Sequence, residues 1–285
     1  MTATPPIFLL TDFGLRDSYA GQVKAVLAHR APDSTVIDIS HEVSPFAIDE
    51  GAWLLETVLP FVPPGAIFVA VVDPGVGGER LPIAIRVPAT GAGARSFLGP
   101  DNGLLSAVAP RCARPSETRV AALPDGIDVR LIESKEARHA VVSDTFHGRD
   151  IFAPAAAALA RGDSHESLGR PLPELTLLPP FEGRPGADGC LLGAVIHVDR
   201  YGNLVTTVRA EQLPGASREQ WQGAYTLELR GQVVELAVRT FNDAPMGSLA
   251  WHIDSSGFLA IAVREGSAVE RLGAVRGDAV LVRPR

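Results

Sequence analysis

The chain has 285 residues, 46% of them hydrophobic and 21% charged, which is enough apolar material for one large domain or two of ordinary size. A net charge of −7 with only two lysines, Lys24 and Lys135, argues against a nucleic-acid partner, because that binding needs clustered cations to displace counterions from phosphates. The longest apolar runs, Ile67 to Val72 and Ala155 to Ala160, fall far short of the roughly 18 to 20 residues of a membrane span, so a soluble globular protein is expected.

Met1 to Pro6 places no basic stretch ahead of an apolar core and does not read as a secretory leader, so a cytoplasmic location is expected. Ile7 to Leu10 reads as a short buried strand, and Ser18 to Ala31 carries Ala20, Val23, Val26 and Leu27 at helical spacing. Thr35 to Ile39 is a strand again, giving a β-α-β opening. Ile48 to Leu59 is amphipathic, with Trp53, Leu54, Val58 and Leu59 on its apolar side. Helices between strands predict a parallel or mixed sheet covered on both faces.

The stretch from Ile67 to Arg80 is the most informative. Six residues of strong β propensity end at Asp73, and Pro74 cannot continue a central ladder, so Asp73 sits at the carboxyl end of a strand. Gly75, Gly77 and Gly78 allow a tight turn and a close approach to a ligand before Arg80 leads into the apolar run Leu81 to Val87. The same residues also suit a hairpin-like turn with a surface ion pair. Asp12, directly after the first strand, stands where a carboxylate grips ribose hydroxyls, or where it merely caps a turn. Neither Gly-x-Gly-x-x-Gly nor a phosphate loop ending in Lys-Ser/Thr is present, which excludes a dinucleotide fingerprint and a nucleotide triphosphatase.

His147 lies between the apolar Ala140 to Val142 run and an Ala-rich helix predicted over Asp150 to Arg161, a junction that suits acid/base or electrostatic work as well as a structural hydrogen bond. From Arg170 to Asp188 five prolines and two glycines read as a linker without regular elements. Short strands broken by turns follow, from Cys190 to Val282, and predict an all-β barrel or sandwich. The clusters His197 to Leu204 and Ile253 to Phe258 set polar side chains beside glycine, as ligand loops and ordinary turns both do. The histidines show no metal-ligand spacing, and Cys112 and Cys190 stand in unrelated contexts, so neither a metal site nor a disulfide is expected. The predicted organisation is an α/β N-terminal domain with a mostly parallel central sheet over residues 1–169, a Pro-rich linker over 170–188 and a smaller all-β domain over 189–285.

Taken in order, Thr11-Asp12-Phe13-Gly14, Val43-Ser44-Pro45-Phe46, Val72 to Gly77 with Arg80, Gly99 to Leu104, Thr145 to Asp150, Val198 to Leu204 and Ser255-Ser256-Gly257 resemble the S-adenosylmethionine hydroxide adenosyltransferase family, water-using relatives of the bacterial fluorinase and chlorinase. The resemblance implies that Asp73, Arg80 and His147 position and polarise a water or hydroxide that attacks the ribose C5′ of S-adenosyl-L-methionine, giving adenosine and L-methionine. It implies no metal and no cofactor, since the sulfonium makes methionine a good neutral leaving group. Asp12 would hold the ribose hydroxyls, and Phe46 would flank the sugar or sulfonium. Asp199 would pair with the methionine ammonium, Ser255 and Ser256 would reach its carboxylate, and Asn203 would read the adenine edge beside backbone groups near Val263 and Glu265. A homotrimer is implied, with each ligand between the N-terminal domain of one subunit and the C-terminal domain of the next. The fluorinase carries a tyrosine and a threonine where this chain has Asp73 and Val76, and a serine in place of Gly148. A charged Asp73 would repel a bare halide, which sets hydrolysis ahead of a halide-dependent synthase or a non-catalytic sensor of adenosine or S-adenosylmethionine.

Overall fold

Unbroken apolar runs favour strands buried on both faces, and β1 (Ile7–Thr11) is fully buried along its length. The computed structural model describes residues 4–88, 93–214, 221 and 223–285, so Met1 to Ala3 of the stretch read for a leader lie outside it. The chain divides into two compact units, Met1–Pro180 and Phe181–Arg285. In the first, β1 is followed by α1 (Tyr19–Arg30), β2 (Val36–Ser40), α2 (Ile48–Val58), β3 (Ile67–Val71), β4 (Pro82–Val87) and β5 (Arg95–Pro100). Then come β6 (Arg119–Ala122), β7 (Asp128–Leu131), α3 (Ala153–Ala160), β8 (Pro171–Leu172) and β9 (Glu174–Leu177).

The main sheet runs in the order β2-β1-β3-β5-β4-β7-β8. It is mixed where a mostly parallel sheet was expected: β2, β1, β3 and β5 are parallel, and β4, β7 and β8 join antiparallel. Connection length explains the difference. Ten residues separate β3 from β4 and seven separate β4 from β5, fewer than the dozen or more that a parallel crossover normally takes. The link from β3 to β4 is no hairpin either, because β5 lies between the two strands. Alternate residues of β1 and β3 feed two cores. Ile7, Leu9, Ile67 and Val69 pack with Val23 and Leu27 of α1 and the alanines of α3, while Phe8, Leu10, Phe68 and Ala70 pack with Leu55 of α2. Phe68 stacks between Phe8 and Phe97 with ring centroids 5.3 and 4.5 Å away, and burying such a side chain stabilises the fold by about 1.5–3 kcal/mol.

Two local expectations change. The Ala-rich helix begins at Ala153, preceded by a π-helical turn over Gly148–Phe152, and Pro154 stands at its second residue, directly after that turn. The proline-rich 170–188 segment is not free of regular structure. It supplies β8 to β7, β9 to β6, and β10 (Arg184–Pro185) to the second unit. Pro171 and Pro185 sit in two-residue strands, and proline is tolerated at strand starts and sheet edges.

The second unit contains β11 (Leu191–Val198), β12 (Leu204–Arg209), β13 (Tyr225–Leu229), β14 (Gln232–Val234), β15 (Leu249–Ile253), β16 (Phe258–Val263), α4 (Ala268–Leu272) and β17 (Ala279–Pro284). All strand pairs are antiparallel, in the order β14-β13-β17-β11-β12-β16-β15 with β10 beside β11. A bridge from Ala237 to Trp251 brings the segment after β14 against β15, so the sheet nearly closes into a barrel. Its core holds Trp251, Leu227, Leu259 and Val280. Among the described residues no helix is long and apolar enough to cross a membrane.

Candidate active site

The carboxyl ends of β1, β3 and β5 lie along one edge of the first sheet, where α/β folds place ligand sites. There Asp73 follows β3 and Asp12 follows β1. A cleft of about 510 Å³ opens beside them, lined by Asp12, Phe46, Asp73 and His147 together with aromatic walls from Phe13, Tyr19 and Phe146.

The structure brings Asp73, Arg80 and His147 into one hydrogen-bonded chain. Arg80 Nε donates to Asp73 Oδ1 at 2.9 Å, and Arg80 Nη2 donates to Asp73 Oδ2 and to His147 Nδ1, the latter at 2.7 Å. The Asp73 and Arg80 side chains are almost entirely buried, so this pair is far less screened than a surface bridge. A guanidinium only donates, so His147 Nδ1 must be the acceptor, and the imidazole proton resides on Nε2. Burial, joined by the charge of Arg80, lowers the His147 pKa below its usual value, against the opposing pull of Asp73. The neutral Nε2–H form is therefore the resting state. The imidazole contributes a donor to the cleft, and the only cation of the trio is Arg80.

Two short segments must meet for this chain to close, and glycine makes the meeting possible. Gly77 adopts φ +76, and a Cβ there would lie 2.3 Å from the backbone oxygen of Asp144. The close approach expected of this glycine loop is thus to the segment ahead of His147. Within the loop, Val76 N donates to Asp73 O and Gly78 N to Gly75 O, two successive turns that carry the chain over the end of β5.

Asp12 and Phe46 are also brought together. Phe46 has φ +67, a left-handed backbone that costs a non-glycine residue about 1–3 kcal/mol. Its N–H donates to Asp12 Oδ2 at 3.0 Å, and Ser44 N–H donates to the buried Glu50 at 2.9 Å, so carboxylates hold the bend from both sides. The Phe46 ring is left 71% exposed at the cleft. Burial raises the Asp12 pKa, with the Asp73 charge adding to it and the Phe46 hydrogen bond opposing it. Beneath Asp12, Thr11 Oγ1 meets the buried His41 Nδ1 at 2.7 Å, and Gly14 N donates to His41 O.

The remaining predicted binding residues lie on the second unit. Asp199 and Asn203 share the turn between β11 and β12. Asp199 Oδ1 accepts from Tyr201 N and Asn203 N, both at 2.9 Å, and Asp199 Oδ2 accepts from Asn203 Nδ2 at 2.7 Å. Leu204 pairs with Ile261, so this turn lies toward the end of β16 that carries Val263 and Glu265. Glu265 takes φ +54 in the turn that follows. Ser255 and Ser256 are exposed in the turn before β16, organised by Asp254 Oδ1, which accepts from Ser256 N and Phe258 N. The six residues of β16 thus separate the two groups by roughly 20 Å at 3.4 Å per residue.

Sequence reasoning missed Tyr19, Gln22 and Arg149 in the cleft lining. Tyr19 and Gln22 stand three apart on the first turn of α1, a spacing that shares one helix face and could have marked them. Among the described residues no group of three or more His, Cys, Asp or Glu is arranged to hold a metal ion.

Residues 7–169 match the SAM hydroxide adenosyltransferase N-terminal domain model and residues 193–281 the C-terminal domain model. An (R)-S-adenosyl-L-methionine hydrolase of Thermus thermophilus is 38% identical over 95% of this chain and 97% of its own length. A fluorinase of Actinoplanes sp. matches at 25% identity over 90% of each chain. The crystal structure of an uncharacterized conserved protein from Thermotoga maritima superposes with a TM-score of 0.82 at 32% identity, over 97% of this chain and 99% of that one.

Proposed function

We propose that this chain, which belongs to the SAM hydroxide adenosyltransferase family, hydrolyses S-adenosyl-L-methionine to adenosine and L-methionine by attack of water at the ribose C5′. The observation that carries the reading to this chain's own residues is the Asp73–Arg80–His147 chain at the cleft. A water there donates a hydrogen bond to the Asp73 carboxylate and accepts one from His147 Nε2–H, leaving a lone pair for C5′. The C5′–O bond forms as the C5′–S bond breaks, the bonding pair leaves on sulfur as neutral thioether, and the water's proton passes to Asp73 and then to solvent. Arg80 holds both partners in register and offsets hydroxide character on the oxygen. The leaving group needs no protonation, so the reaction is held to require neither metal nor cofactor.

The substrate roles follow the same reading. Asp12 grips the ribose hydroxyls and Phe46 faces the sugar or sulfonium. Asn203, beside the backbone near Val263 and Glu265, reads the adenine edge, and Ser255 and Ser256 reach the methionine carboxylate. Asp199 organises the Asn203 turn and adds negative charge for the ammonium. The homotrimer belongs to this proposal too, and light scattering reporting a monomer with full activity would remove it. Because the Thermus relative is named for the (R) epimer at sulfur, the epimers are compared directly. Purified protein is incubated with each in heavy-oxygen water, and adenosine is resolved by chromatography and weighed by mass spectrometry. The expected result is faster adenosine release from the (R) epimer with the heavy oxygen in the 5′-hydroxyl. No adenosine above the Asp73→Asn background, or adenosine without the label, overturns the proposal.

A further inference from the structure

The π-helical turn Gly148–Phe152 carries a fully buried carboxylate, Asp150, that the chemistry above does not use. Its Oδ1 accepts from Arg149 Nε at 2.7 Å, and its Oδ2 accepts from Arg149 Nη2 and from Ser143 N, each at 2.9 Å. Its backbone oxygen accepts from His139 N at 2.8 Å. Arg149 in turn donates from Nη1 to Gln22 Oε1 on α1 at 2.9 Å and lies over the Phe146 ring at 5.0 Å. One acid and one arginine therefore tie together the 139–145 segment, helix α1 and the Phe146 ring, and Ser143, Gln22 and Phe146 all line the cleft. His147 sits between Phe146 and this clamp. Single π-turns inside helices cluster at functional sites, and here the turn places Asp150 under the segment it secures.

We propose that Asp150, with Arg149, is a positioning residue that fixes the His147 imidazole on Arg80 and so sets the reactive geometry. It rests on the function proposed above. Charged groups face His147 from several elements: Asp73 and Arg80 from the loop after β3, Arg138 from the segment before Ser143, and Asp150 from its own turn. Asp73 and Asp150 favour the imidazolium, whereas Arg80 and Arg138 oppose it. Removing the Asp150 charge consequently favours the neutral imidazole further and moves any acid limb that it causes to lower pH.

The test is Asp150→Asn, which keeps the shape and removes the charge, with Arg149→Gln as a second variant less buried than the first. Wild type is assayed alongside, with melting curves and the His147 imidazole titration followed by NMR. For Asp150→Asn the expectation is a fall in kcat of up to about 100-fold, KM within about threefold, and an acid limb and imidazole titration both shifted to lower pH. Arg149→Gln should lower kcat in the same sense with the melting transition retained. If both variants, folded by their melting curves, keep the wild-type kcat and titration, the proposal is overturned. A lowered melting temperature with unchanged kcat and pH profile assigns Asp150 a structural role only and equally overturns it. Wild type that releases no adenosine instead refutes the hydrolase reading, while the NMR titration still reports whether Asp150 acts on His147.

Discussion

Gly77→Ala separates the geometry of the trio from its chemistry. The new methyl carbon would stand 2.3 Å from Asp144 O, where real Cβ atoms essentially never come within 3.0 Å, and the obstacle is backbone that cannot rotate aside. The two segments must part by at least about 0.7 Å, close to the ~1 Å misplacement that can cost about 100-fold in rate. The φ of +76 adds about 1–2 kcal/mol of left-handed strain for alanine. Gly65 is the control. Its φ is +80, but nothing lies within 4 Å of its would-be Cβ, so Gly65→Ala carries the strain without the collision. Adenosine release measured as kcat/KM beside thermal melting should show both variants destabilised and Gly77→Ala alone slowed by about 30- to 100-fold. Equal kcat/KM in the two variants would refute the claim that contact between Gly77 and Asp144 sets the Arg80–His147 distance.

The pH dependence follows from the neutral imidazole. Because the His147 pKa is lowered from its ordinary 6.5, the active form persists below that pH and is lost only as pH falls through the lowered value. A kcat profile with an acid limb above about 6.5 would contradict the assignment. Asp73→Asn removes the proposed proton acceptor and the partner of Arg80, and kcat should drop by about 10²–10⁴. Rates within tenfold of wild type would move the base elsewhere. Phe46→Gly relieves the left-handed strain at φ +67 and should raise stability by about 1 kcal/mol while KM rises, as read by melting curves and initial rates.

The strands that are continuous apolar runs, β1 and β3, were legible because burial on both faces leaves a signal that needs no partner. β5 was not. Its Arg95–Pro100 sequence includes one glycine and one proline, and its central place comes from pairing with β3 and β4, which is set by tertiary context. Asp73, Arg80 and His147 were each legible as acids and bases beside glycines at strand ends, which are local features, while their grouping rested on the family resemblance alone. The protonation of His147 was not legible. The sequence left acid/base, electrostatic and structural roles open, whereas the donor on its Nδ1 and its burial make it neutral. Gly77 shows the same limit. Its need for freedom was visible, but its neighbour, the oxygen of Asp144, is 67 residues along the chain. At Asp199 and Asn203 residue type left ligand contact and ordinary turn chemistry both open, and only the fold shows the two side chains bonded within one turn, as in Asx turns.

That neutrality sharpens the choice of nucleophile. From sequence the case against halide rested on the like charge of Asp73. In the folded chain that charge is paired with Arg80 by two hydrogen bonds, so simple repulsion is weakened, and a halide could be drawn to the guanidinium. What decides is the donor and acceptor set. Arg80 directs Nε to Asp73 and Nη2 to both Asp73 and His147, and the two trio members that line the cleft are Asp73 and His147. One of these is an acceptor and the other, through Nε2–H, a single neutral donor. A halide can only accept and would leave the carboxylate facing an anion. In the proposed mechanism water donates to the first and accepts from the second, which orients it and draws off its proton. On the proposed mechanism the selectivity lies in the Arg80–His147 hydrogen bond, which fixes the tautomer, as much as in the Asp73 charge.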